Sequence, residues 1–210
     1  MAESARQALS LLRDSHLFSW YLIPFLALII YVYVVEVERK KWNIIMAGLA
    51  FYALEWLFEI INGIWFHVSG FSAVWVTPGN SAYILLIGLT IEISMMFAIA
   101  GVLFAKVLPE DKKMKILGIN NRWALAVVFS IFCVFVEIIL NQWHVLIWNY
   151  SWWNWPNFWL IILIGYLPYF VLAFWIHDMP SMKKKVSIVS GIYLVDLVLI
   201  LVFLVGLKWI

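Results

Sequence analysis

Six apolar stretches, near residues 17–36, 43–66, 81–107, 121–148, 157–177 and 186–208, alternate with short polar connections along the 210-residue chain. Each has about the 20 residues that a helix needs to cross a bilayer. The pattern predicts an all-α integral membrane protein, a six-transmembrane-helix bundle forming a single domain over residues 1–210. Ahead of the first stretch, Ala5, Ala8, Leu9, Leu12 and His16 recur at helical spacing with Arg6, Arg13 and Asp14 between them. That spacing predicts a short N-terminal interfacial helix. The run from Leu17 to Val35 has no small-residue cleavage site and exceeds a signal h-region, so it reads as a retained first span. The third stretch should end at Leu108-Pro109, before the charged Glu110-Asp111-Lys112-Lys113, and Pro24 and Pro168 predict kinks inside spans.

Composition agrees with this pattern, at 66% apolar, 18% aromatic and 12% charged residues, against about 25% charged in a soluble domain. The short connections leave no room for a separate soluble domain. A net charge of +2 says little as a total, because 11 of the 14 Lys and Arg residues are concentrated in three connections, 37–42, 106–122 and 178–186. Nucleic acid is not an expected partner. By the positive-inside rule the basic connections are cytoplasmic and both termini lie outside, together with the uncharged loops 68–80 and 149–156. Those two loops are rich in Trp and Tyr, which suits an aromatic belt at the headgroups, a lid over a site, or a docking surface for homo- or hetero-oligomers. Cys133 is the only cysteine, so no disulfide framework exists, and it reads as a buried thiol.

Five carboxylates change this picture: Glu55, Glu59, Glu92, Glu137 and Asp196 lie within the apolar stretches, and no Lys or Arg lies mid-span to pair with them. An acid at the bilayer centre costs about 2.5–3.5 kcal/mol on insertion scales, so five imply protonation, hydrogen bonding, water or a bound cation. At 1.5 Å per residue from Asn43, Glu55 lies roughly 18 Å and Glu59 roughly 24 Å up span two. Glu92 should lie roughly 16 Å below the outer surface, and Asp196 near the midplane. Glu55, Glu59 and Asn62 fall within about 60° on one helix face. On span four, Ser130, Cys133, Glu137, Asn141, His144 and Trp148 follow i, i+3, i+4 and i+7 spacing. Both stripes should face the bundle interior.

The two helices also resemble each other. Glu59-Ile-Ile-Asn-Gly-Ile-Trp-Phe-His67 and Glu137-Ile-Ile-Leu-Asn-Gln-Trp-His144 share Glu-Ile-Ile, then Asn, Trp and His in order, with single-residue shifts. They fit a parallel two-helix repeat, which would set two Glu–Asn–His groups across a pseudo-twofold axis.

A carboxylic acid kept neutral by apolar surroundings and a nearby imidazole suit general acid–base chemistry on a hydrophobic molecule. The leading expectation is an enzyme acting on a lipid or isoprenoid-like substrate, with membrane lipids and a hydrophobic small molecule as partners. In it Glu59, Glu137 and His144 are catalytic, while Glu55, Asn62, Glu92, Asn141 and Asp196 bind substrate. No cofactor is required by the sequence; a divalent metal is chemically compatible, with Glu59, Glu137, His67 and His144 as its ligands. The Glu-x-x-His spacing of di-iron bundles is absent. A proton- or cation-coupled carrier or channel subunit is the first alternative, weakened by the scarcity of Gly and Pro in spans two and four. A non-catalytic subunit of a membrane complex is the second. There is no GxGxxG, P-loop, GxSxG, HExxH or CxxC, and no mid-span lysine of the retinal-binding kind.

Overall fold

The computed structural model describes residues 1–79 and 81–210; Asn80, in the expected outer loop 68–80, lies outside the described residues. Seven helical segments follow one another: α1 (Glu3–Leu11), α2 (Leu22–Glu38), α3 (Trp42–Ser69), α4 (Ile91–Lys106), α5 (Asn121–Gln142), α6 (Trp155–Asp178) and α7 (Met182–Gly206). Four of them, α3, α5, α6 and α7, are long and apolar enough to cross a membrane. At 17 and 16 residues, α2 and α4 are shorter.

α3 is the hub, packing on α2, α4, α6 and α7 with eleven buried residues of its own. Its crossing with α4 is close because both helices present glycine: a Cβ on Gly101 would meet Gly48 Cα and O at 3.0 Å. Small residues at such crossings let membrane helices approach. Toward the basic end, Phe51, Tyr169, Phe170 and Phe174 pack over Ala47, Ala105, Ala126 and Ala173 as the main apolar core. α5 joins the bundle chiefly through α6, and α4 and α5 meet mainly through side chains, with ring centroids of Phe104 and Phe129 4.7 Å apart. A gap is left between them.

Several boundaries differ from the hydropathy pattern. Residues 81–107 were expected as one span, but strands β2 (Ile84–Leu86) and β3 (Leu89–Thr90) form a hairpin and the helix starts only at Ile91. Thr90 decides this, because its Oγ1 accepts the Ile93 N–H and caps the helix. The fourth stretch was expected to reach Trp148, yet α5 stops at Gln142, and His144 turns the chain in the left-handed region at φ 57°. Trp148 lies instead in β4 (Ile147–Trp148), antiparallel to β1 (Trp75–Val76) with Trp75 opposite Trp148. Pro24 causes no kink, since it occupies the first turn of α2, where its missing N–H would have no helical partner. Pro168 acts as expected: the preceding Ile161–Tyr166 widens into a π-helical stretch closed by Leu167 N–H on Ile162 O.

The two ends of the bundle differ in chemistry. At one end Arg122 and Lys112 reach Asp178, and Lys185 donates to Asn43 and to His177 O, which ties the three basic connections together. At the other end α1 buries Ala5 and Ala8 against Ala73, Val76 and Ile87 of the loop after α3. Ser4 Oγ donates to Asn149 there, and Trp209 stacks on His67 with ring centroids 4.3 Å apart. Both termini and both uncharged loops therefore share one end.

Candidate functional site

A cavity of about 290 Å³ lies between α3, α4, α5 and α6, roofed by Trp75, Gly88, Leu146 and Trp153 from the aromatic loops. Three of the five acids in apolar stretches, Glu55, Glu59 and Glu137, are in its wall, and among the described residues no Lys, Arg or His is. The carboxylates are buried, at 3%, 3% and 8% exposure. Their bonding differs. Glu55 Oε2 accepts from Tyr169 Oη at 2.8 Å, and Glu59 Oε1 accepts from Trp75 Nε1 at 2.7 Å. Glu59 Oε2 and Glu137 Oε2 have no hydrogen-bond partner among the described residues. A buried polar oxygen without a partner is costly, and its persistence at a cavity is a functional pointer.

The roof is held by the two asparagines of the repeated segments. Asn62 Nδ2 donates to Trp75 O, and its Oδ1 accepts from Val74 N. Asn141 Nδ2 donates to Leu146 O. Both therefore act on loop backbone, and neither lines the cavity as a substrate-binding residue would. Gly88 completes the Trp75 seat: a Cβ there would stand 2.5 Å from Asn62 Nδ2 and 2.6 Å from Trp75 Cδ1. Only glycine lets the hairpin turn lie flat on the indole. Trp153 packs likewise on Gly165 of the π-helical stretch, whose Ile161 and Tyr166 also line the cavity.

The remaining expected site residues do not join this group. Glu92 sits in the first turn of α4, not deep in a span, because residues 81–90 are hairpin; its carboxylate accepts from Tyr21, Ser81 and the Ala82 N–H. It fastens α2 to the hairpin. Asp196 is buried away from the cavity, and neither oxygen has a partner among the described residues. His144 is exposed because α5 ends before it, and His67 is exposed and stacked on Trp209. The metal set Glu59, Glu137, His67 and His144 thus does not converge, and the described residues hold no cluster of three or more His, Cys, Asp and Glu spaced for a metal.

Sequence reasoning missed Trp75, Trp153 and Gly88 as parts of the site. No local signal separates Trp75 from the other loop tryptophans. Its strand partner Trp148 occupies the matching place after the Glu137 helix, and there the indole Nε1 is buried without a partner, as is Glu137 Oε2.

With this geometry in place, residues 2–205 match the model of a family described as "Uncharacterized membrane protein family". The chain belongs to that family. A protein of Archaeoglobus fulgidus, described as "Uncharacterized protein", is 50% identical over 208 residues, covering 99% of each chain. A shorter "Uncharacterized protein" of the same organism is 43% identical over 51 residues, 24% of this chain and 91% of its own length. No solved structure matches. The matched residues include the cavity-forming helices and the loops that roof them.

Proposed function

We propose that this membrane protein is an enzyme doing acid–base chemistry on a lipid or isoprenoid-like molecule that reaches the cavity sideways from the bilayer. Glu59 and Glu137 are the proton-transfer groups. One observation carries the reading: two carboxylates, each with an unpartnered oxygen, share the wall of one apolar cavity that contains no cationic side chain. Glu59, which accepts the Trp75 N–H, is set up as the base, and Glu137, with its free Oε2, as the acid. Each positioned group contributes about 10²–10⁴ in rate. The bundle crosses the membrane six times, with α2 and α4 as the short crossings, and its basic connections face the cytoplasm.

The test is to incubate proteoliposomes in D₂O with the total lipid extract of the source organism and follow the lipids by mass spectrometry. Wild-type protein should change the mass of one lipid or label it with deuterium, and Glu59→Gln and Glu137→Gln should each abolish this. If wild-type protein alters no lipid, the enzymatic reading falls. Accumulation of a solute inside the vesicles would instead select the carrier.

A further inference from the structure

The same cavity narrows the substrate, and this inference rests on the acid–base reading above. Eight of its 21 lining residues are aromatic. Four of these pack against one another as one aromatic wall beside the acids: Phe51 and Tyr169 have centroids 5.2 Å apart, Phe51 and Phe97 5.6 Å, Phe97 and Tyr169 5.6 Å, Phe97 and Tyr166 6.4 Å, and Tyr166 and Tyr169 6.1 Å. On the roof side Trp75 and Trp153 stand 5.9 Å apart. Aromatic faces attract a cation within about 6 Å of the ring centroid. Carboxylates do the same, whereas an enolate, oxyanion or phosphate would find no Lys, Arg or His in the wall to balance it. The site is thus complementary to positive charge developing on an apolar molecule.

The shape agrees. Where α4 and α5 stand apart, the cavity shares Met96, Ala100, Phe104 and Phe132 with a second, shallow apolar groove that continues over Phe25, Leu28 and Leu103 on the lipid-facing side. Met96 and Phe132 are exposed at this mouth. A molecule longer than the cavity can place one end at the carboxylates and leave the rest in the groove.

We infer that the substrate is a long unsaturated hydrocarbon chain, and that the reaction passes through a carbocation held against the aromatic wall. Glu137 gives its proton to one alkene carbon; the π pair forms the new C–H bond, and the neighbouring carbon becomes cationic. Glu59 then takes a proton from an adjacent carbon, and that C–H pair forms the new double bond, directly or after the cation has closed a ring. One proton is delivered and one recovered, so the product is an isomer of the substrate and no oxidant, reductant or water is consumed. Transfer from Glu59 to Glu137 within the cavity restores the starting state.

The experiment compares binding of protonated N,N-dimethylfarnesylamine, a mimic of the cation, with binding of its neutral hydrocarbon isostere to protein in vesicles. The amine should bind at least tenfold tighter. Phe97→Leu should shrink that preference, read as the ratio of the two affinities, at least fivefold, while an unfolding transition like that of wild type shows that the variant is folded. Equal binding of amine and isostere overturns the inference. So does a preference that survives Phe97→Leu, since carboxylates alone would then explain it. In either case lipid labelling in D₂O that depends on Glu137 still upholds the acid–base reading. Preferred amine binding with no lipid altered overturns both and leaves a carrier of lipophilic cations.

Discussion

The basic end and the cavity hold their acids in opposite ways. At the basic end, Asp178 receives both Arg122 Nε, at 2.8 Å, and Nη2, at 3.0 Å, with Lys112 at 3.8 Å and His177 Nδ1 at 2.9 Å. Buried Glu36 likewise faces Lys106 Nζ at 2.6 Å. In the cavity, among the described residues, Tyr169 donates to Glu55 and Trp75 to Glu59, and no cation lines the wall beside Glu55, Glu59 and Glu137. Charge at the basic end joins connections and therefore serves architecture. Acid groups in the cavity hold nothing together through charge, which leaves them available for chemistry.

The comparison can be broken most directly at Arg122. Arg122→Ala leaves Asp178 without its bidentate partner and should destabilise the protein by about 1.5–3 kcal/mol in chemical unfolding in detergent, since Lys112 and His177 remain beside the carboxylate. A loss below about 1 kcal/mol would mean that the pair is ornamental. Gly88→Ala forces a Cβ against Asn62 and Trp75 and should cost about 1–3 kcal/mol. It should also shift Trp75 off Glu59, read as a change in tryptophan fluorescence. Tyr169→Phe removes the donor to Glu55 and should cost about 1.5 kcal/mol in the same unfolding assay. The smallest stability effect belongs to Glu137→Gln, at about 1 kcal/mol or less, because no partner of Oε2 is lost. Loss of activity at least 100-fold with a nearly unchanged unfolding curve would sharpen the contrast; destabilisation equal to that of Arg122→Ala would erase it.

Much of this contrast was legible along the chain. Segregation of Lys and Arg into three connections marked one end, and 100° periodicity set Glu55, Glu59 and the Ser130–Cys133–Glu137–Asn141 stripe on inward faces. Both signals are local, because helical geometry relates residues a few positions apart. Local periodicity failed where a helix stopped. Glu92 and His144 were extrapolated along spans that Thr90 and the left-handed turn at His144 cut short, and hydropathy does not distinguish an apolar hairpin from an apolar helix.

Sequence alone determined that the chain is a membrane bundle with one basic end, unpaired acids and an aromatic opposite end, because hydrophobicity and charge act residue by residue. Tertiary structure decided which acids meet. It brought Trp75 to Glu59 across 16 residues and Tyr169 to Glu55 across 114, and it left Asp196 apart. Those distances follow from the α3–α6 packing and from a roof built on Gly88 and two asparagines. Such contacts depend on shape complementarity between distant segments, a property that no window of sequence contains.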